Sequence, residues 1–390
     1  MRTLNPGARN LFRAALLIFV VTIVIGILNG MDLWSPSHEM LLTHVHAGTL
    51  GWITLAVVGT AFLMFEDGGD DQAATLAMAT IGAVVLYVIA FATGTGIFRP
   101  IAGTLMLIAI VWALVWVWGR YNRSAKATPQ LGVLLAMVSL AIGAVLGVLL
   151  GLFIANGSLP GLSTETAQAL AGAHPPAMLI GYLILAGAAV ADWLLGGKPG
   201  TLGRVVVWLL FAGGIIANIA LIFDLEALIQ VFSLLQVVAI VLFVIRMWEH
   251  VTPGAWSGSD ASGTFARLAV VFLLVGIGLL VYVVQLFVSG ELNPETGEGP
   301  IGVLLAFDHS MFIGVMTNAI FGVIARSVGK GSDPVVIWAI NGGLALFLVG
   351  LVADVTILKQ IGAPLMGLAL LYGIYVYLRE LSTPSVPQAA

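Results

Sequence analysis

Twelve apolar stretches of about 20 or more residues each run the length of this 390-residue chain. They lie near 10–30, 38–65, 72–96, 99–119, 129–155, 165–195, 204–223, 226–248, 264–288, 300–325, 334–356 and 361–380. In a bilayer every backbone N–H and C=O must be paired internally, which leaves helices as the solution for apolar stretches of this length. The expected fold is therefore an all-α polytopic membrane protein. A 60% hydrophobic and 9% charged composition agrees, because soluble domains carry about 25% charged residues. The connection Phe223-Asp224-Leu225-Glu226 is very short, so the division between 204 and 248 rests on few residues. The segment 249–263 reads as a surface connection, and the tail from Ser382 as disordered. The first stretch has no small-residue cleavage site after it and reads as a retained span.

The loop charges give an orientation. Arg2, Arg9, Arg13, Arg120, Arg123, Lys126, Lys198, Arg204, Arg246, Arg267, Arg326, Lys330 and Arg379 fall on one side if the chain alternates through twelve spans, whereas Arg99 and Lys359 fall on the other. The positive-inside rule then puts both termini in the cytoplasm, as expected in the cytoplasmic (inner) membrane of a prokaryote. The chain has no cysteine, which excludes disulfides, thiolate metal sites, iron–sulfur clusters and covalently attached haem. Any bound metal must rely on histidine, methionine or carboxylate. Lipid is the expected surrounding partner, and no nucleic-acid partner is expected.

The second span holds Leu42-Thr43-His44-Val45-His46-Ala47-Gly48-Thr49-Leu50-Gly51-Trp52. Histidines two residues apart point about 200° apart on a helix, so one helix offers an imidazole to each of two compartments. Ionisable side chains inside a membrane mark function by default. The pattern recurs. His44 lies seven residues before Gly51, His174 seven before Gly181, and Phe307 seven before Gly314; His46 and His309 each precede a glycine by five. The repeats are about 130 residues apart, one third of the chain. This implies three four-helix arcs, approximately 1–126, 127–260 and 261–390, with the marked helix second in each.

Each register then supplies two histidines: His44 with His174, and His46 with His309. All four lie 6–11 residues inside the same ends of their spans. Two imidazoles facing across a gap between helices are what a b-type haem requires for axial ligation. Copper or zinc usually takes three or four protein ligands. Arg99 and Lys359 sit on the same side as the histidines and are candidates to pair with haem propionates. Asp308 adjoins His309 and could orient a ligand, carry a proton or remain a neutral core acid. Asn318 and Asn341 are expected to hydrogen-bond between helices. His38 and His250, near span ends, are expected to be solvated.

The stretch His44-Val45-His46-Ala47-Gly48-Thr49-Leu50-Gly51-Trp52 resembles the two-histidine helix of the haem-copper oxidase catalytic subunit (subunit I), especially its C-type branch. Twelve spans in three arcs, with histidines in spans 2, 6 and 10, are similar to that superfamily's plan, and His174-Pro175 resembles the start of its copper motif. The motif similarity covers about thirty residues. The chain departs from it in three places: the two-histidine motif stands in span 2 instead of span 10, Pro176-Ala177 follow His174-Pro175, and span 7 has no histidine to complete a three-histidine copper site. The resemblance implies a divergent haem-binding redox protein. His46 and His309 would ligate a six-coordinate haem b. His44 and His174 would hold a second haem, or a haem on His44 with His174 facing a gas or copper. Quinol is the expected apolar electron donor, and a partner redox subunit or a homo-oligomer is a further expectation. Two alternatives stand beside this reading: a non-catalytic haem- and gas-binding nitric-oxide response protein, and a secondary transporter using the histidines for protons or a metal ion.

Overall fold

The computed structural model describes residues 4–65, 71–94, 96–293, 298–329 and 333–383. Arg2, Lys330 and the tail beyond Thr383 lie outside the described residues. Among the described residues, twelve helices are long and apolar enough to cross a membrane. They are α1 (Pro6–Gly30), α2 (His38–Met64), α3 (Gln72–Thr93), α4 (Phe98–Arg123), α5 (Thr128–Asn156) and α6 (Thr164–Leu195), followed by α7 (Thr201–Ile222), α8 (Glu226–Val251), α9 (Ala261–Val288), α10 (Ile301–Val328), α11 (Pro334–Val352) and α12 (Thr356–Ser382). They match the twelve expected spans one for one.

The starts of these helices follow from local chemistry. Asn5, Asp260 and Asp333 accept from the backbone N–H groups of Gly7, Gly263 and Val335 at 2.7–2.8 Å, and Pro6 and Pro334 stand in the first turns of their helices. Gly157 and Gly196 end α5 and α6 in the left-handed conformation. The short α7–α8 connection is a true turn, made possible by Asp224 at φ +50°; aspartate is among the few residues that enter this region readily. The 249–263 segment contains a one-turn helix, Pro253–Trp256, and the Trp256 ring stacks on Trp338 of α11 at 6.2 Å. It is a surface connection, as expected, and its Trp256 packs on a neighbouring helix.

The helices divide into two classes. In α2, α6 and α10 the most apolar window is 94%, 78% and 78% buried, against 39–50% in the other nine. Contacts explain the division. The nine less buried helices follow one another around a closed ring in the order α1, α3, α4, α5, α7, α8, α9, α11, α12 and back to α1. Helices α2, α6 and α10 stand inside that ring and touch each other in all three pairs. The marked helix of each sequence repeat is therefore the inner one.

Each inner helix changes pitch at the same place. α-Helix gives way to π-helix over Ala47–Thr54, Ala177–Leu183 and Ser310–Thr317, directly after the histidine-bearing turn. Such π segments are rare and concentrate at functional sites. The glycines read from the sequence lie within them and are points of close approach. A Cβ on Gly51 would collide with Ile18 of α1. One on Gly314 would stand 2.5 Å from Phe272 of α9, and one on Gly181 would touch Ser139 of α5 at 3.4 Å. The helix that precedes each inner helix in sequence thus packs on its glycine.

Below the histidines the inner helices are joined by hydrogen bonds. Trp52 Nε1 donates to Thr317 Oγ1 at 3.0 Å, and Tyr182 OH donates to Thr54 Oγ1 at 3.3 Å. Thr54 and Thr317 donate in turn to the carbonyls of Thr49 and Phe312, five residues back. Asn318 and Asn341 exchange amide hydrogen bonds at 2.7 and 3.1 Å and tie α10 to α11, as expected. Bonds of this kind average about 0.6 kcal/mol in membranes, so their value lies more in fixing rotation than in stability.

Candidate functional site

The four span histidines, with Arg99 and Lys359, all line one continuous cavity of about 910 Å³. That is at the upper end of the roughly 300–1,000 Å³ typical of ligand pockets. His38 also lines it, near its mouth.

The pairing differs from the expectation. The His46 and His174 rings lie 6.4 Å apart, centroid to centroid, with planes 9° from parallel. His44 and His309 line the same cavity. The pair brought together is therefore His46 with His174, and the same rotation turns His44 toward His309, where the expectation was the same-register pairs His46 with His309 and His44 with His174. Three inner helices around an axis each turn one face toward the next helix and the opposite face toward the previous one. Two residues along a helix is about 200°, so a first-register side chain on one helix meets a second-register side chain on its neighbour. The registers were legible in the sequence, whereas the sense of rotation around the ring was not.

All four imidazoles are oriented by a backbone carbonyl, by two devices. The first-register histidines donate from Nδ1 to the preceding outer helix: His44 to Thr22 of α1 at 2.9 Å, and His174 to Gly143 of α5 at 2.8 Å. The second-register histidines donate to their own helix four residues back: His46 to Leu42 at 2.7 Å, and His309 to Leu305 at 2.8 Å. A carbonyl can only accept, so the neutral imidazole is protonated at Nδ1 and its Nε2 lone pair is free. Metal-ligating histidines are held in this way.

Glycine makes the room. Four residues after each first-register acceptor stands Gly26 in α1 and Gly147 in α5. A Cβ on Gly26 would stand 3.1 Å from the His44 ring, and one on Gly147 2.8 Å from the His174 ring. Aromatic rings complete the walls: Phe91 and Tyr87 lie 4.0 and 5.5 Å from His46, and Phe347 lies 5.0 Å from His309. Arg99 places its guanidinium 5.1 Å over the Phe91 ring, and its buried Nε has no partner. Lys359 bonds to Asp354 at 3.2 Å.

The third interface, between α6 and α10, is filled. Its two register positions hold Pro176 and Phe307, and neither lines the cavity. The place of Gly26 and Gly147 is taken in α9 by Leu280, which is buried with Phe307. Met311 presses on Gly276, at the place of Thr22 and Gly143. Where Trp52 and Tyr182 reach threonines, this interface has Val315 and Ile184, both buried.

Among the described residues no three histidine, aspartate or glutamate side chains gather as a metal site. The arrangement is thus two separate imidazole pairs. The sequence reasoning missed the three π-helical segments, Tyr87, Phe91 and the cradle glycines. The glycines were hidden because Gly26 lies 18 residues before His44 whereas Gly147 lies 27 before His174, so no common spacing marks them. No protein-family model matches the chain, and no curated protein is significantly similar to it.

Proposed function

We infer that the chain is a haem b-binding integral membrane redox protein carrying two bis-histidine sites, one at His46 and His174 and one at His44 and His309. The observation that carries this reading is the His46–His174 pair. Iron held on opposite sides by two imidazoles, with metal–nitrogen bonds of about 2.0–2.1 Å, separates the ring centroids by roughly 6 Å, and these rings are 6.4 Å apart. Free Nε2 atoms, glycine cradles and an apolar cavity fit the same group. Two b-type haems supply one-electron chemistry when bound.

The protein's own part is orientation and exclusion. Carbonyls fix the imidazole rings, and the glycines leave space for a flat macrocycle. Phe91, Tyr87 and Phe347 keep the pairs dry. Arg99, with its unpartnered Nε, and Lys359, at the cavity edge, suit propionate carboxylates. Copper is the weaker fit, because each pair offers two ligands and copper or zinc sites usually use three or four. The haem-copper oxidase resemblance rests on its motif residues and is supported by three inner helices within a ring of nine. Quinol as electron donor, both termini in the cytoplasm and a prokaryotic inner membrane belong to the same proposal.

The test is a reduced-minus-oxidised optical spectrum of the purified protein, with a pyridine haemochrome count. Two low-spin b-type haems per chain are expected, with no carbon monoxide shift at the His46–His174 pair. A preparation from haem-replete cells that contains no haem would overturn the reading and favour the transporter.

A further inference from the structure

Between the two registers of each inner helix lies one residue that belongs to neither pair: Val45, Pro175 and Asp308. These three occupy equivalent places in the repeat, and all three line the cavity. One turn further along, Thr49, Leu179 and Phe312 line it as well. The face between two positions 200° apart is the face shared by both neighbours, which here is the axis among α2, α6 and α10. These six residues line the same cavity as the four histidines, and the part of the cavity along this face is here called the axial vestibule.

The vestibule walls are apolar but for two side chains. The Thr49 hydroxyl is engaged, donating to the Val45 carbonyl at 2.8 Å. Asp308 is different: its Oδ1 is buried and has no hydrogen-bond partner. A carboxyl left unpaired away from bulk water costs about 1–3 kcal/mol, so the Asp308 side chain, which lines the cavity, calls for a ligand that supplies a donor. Water fits poorly, since a buried water needs 2–4 polar partners. A hard cation fits poorly too, since it takes about six or more oxygen ligands, and no three-carboxylate or histidine cluster exists among the described residues. An apolar ring with a hydroxyl at its edge meets both requirements. It fills the Val45, Leu179 and Phe312 surface and donates to one oxygen.

We propose that the axial vestibule binds a ligand of the hydroquinone type, with Asp308 accepting a hydrogen bond from its ring hydroxyl. The proposal rests on the reading of the two histidine pairs as cofactor sites, because that reading leaves the axis as the space adjoining both. An acceptor oxygen is present whether the carboxyl is ionised or protonated, so the contact does not depend on its charge.

The test uses the full-length protein in detergent and the fluorescent hydroxyquinoline 2-heptyl-4-hydroxyquinoline N-oxide as the probe, followed by fluorescence quenching. The wild-type protein is expected to bind one probe per chain saturably. Asp308→Leu removes the acceptor and is expected to weaken binding at least about tenfold, while Asp308→Asn, which keeps a carbonyl acceptor, stays within about threefold. Val45→Phe fills the vestibule from the opposite wall and is expected to weaken binding similarly. It carries the test on its own if Asp308→Leu does not fold. Haem content, measured on each preparation, separates the two claims. Haem-loaded wild-type protein that shows no saturable binding, or unchanged affinity in both Asp308→Leu and Val45→Phe, would overturn the vestibule and leave the haem reading standing. Saturable, Asp308-dependent binding to protein that contains no haem would support the vestibule and overturn the haem reading.

Discussion

Three interfaces join the inner helices, and they are built to one plan but filled in two ways. Between α2 and α6, and between α10 and α2, a glycine in the neighbouring outer helix leaves room for an imidazole whose Nδ1 is tied to a carbonyl. Between α6 and α10 the glycine is replaced by Leu280 and the imidazole by Phe307, and the space is closed by side chains. Hollow and polar go together, as do filled and apolar. The same division appears one layer down, where Trp52–Thr317 and Tyr182–Thr54 bond across the first two interfaces. The third interface sets the reference state: it shows the same architecture with the space filled by side chains.

That contrast can be broken from either side. The largest effect is expected from His46→Leu, which removes one imidazole of the α2–α6 pair. The haem count should fall from two per chain to one, read by pyridine haemochrome, while the low-spin spectrum of the other pair persists. Phe307→Ala, in the filled interface, should leave the haem count unchanged and destabilise the fold by about 3–5 kcal/mol, the usual cost of emptying a buried phenylalanine site. A lowered unfolding temperature in detergent would show it.

Gly147→Leu copies into α5 the residue that closes the third interface at Leu280. A Cβ there stands 2.8 Å from the His174 ring, so the imidazole must move. The variant should lose haem from the His46–His174 pair alone, at an overpacking cost of about 1–3 kcal/mol. The smallest effect is expected from Trp52→Phe, which deletes the hydrogen bond to Thr317 and keeps the stack on Phe19 at 4.6 Å. Its cost should be about 0.6–1.7 kcal/mol, visible as a small shift in unfolding temperature with both haems retained.

Much of this was legible in the sequence. Hydropathy gave twelve spans, because internal pairing of the backbone leaves a membrane-crossing chain few other options. The repeat of glycines singled out α2, α6 and α10, the three inner helices. The four histidines stood out because imidazole inside lipid is rarely incidental. The partner of each histidine was not legible. Register along a helix says which side chains share a face, but says nothing of which neighbour that face meets. The pitch change after each histidine turn was hidden too. Ala47–Thr54 has the composition of an ordinary apolar helix, and no residue in it announces the π form. The role of Leu280 and Phe307 as fillers depends on which helices face one another, and the sequence does not carry that.

The pairing itself is the central claim, and double substitutions test it most directly. His46→Leu with His174→Leu removes both ligands of one pair, whereas His46→Leu with His309→Leu removes one from each. Haem per chain, measured by pyridine haemochrome in the two double variants side by side, should be one in the first and none in the second. One haem in the His46/His309 variant and none in the His46/His174 variant would contradict the account and restore the same-register pairing.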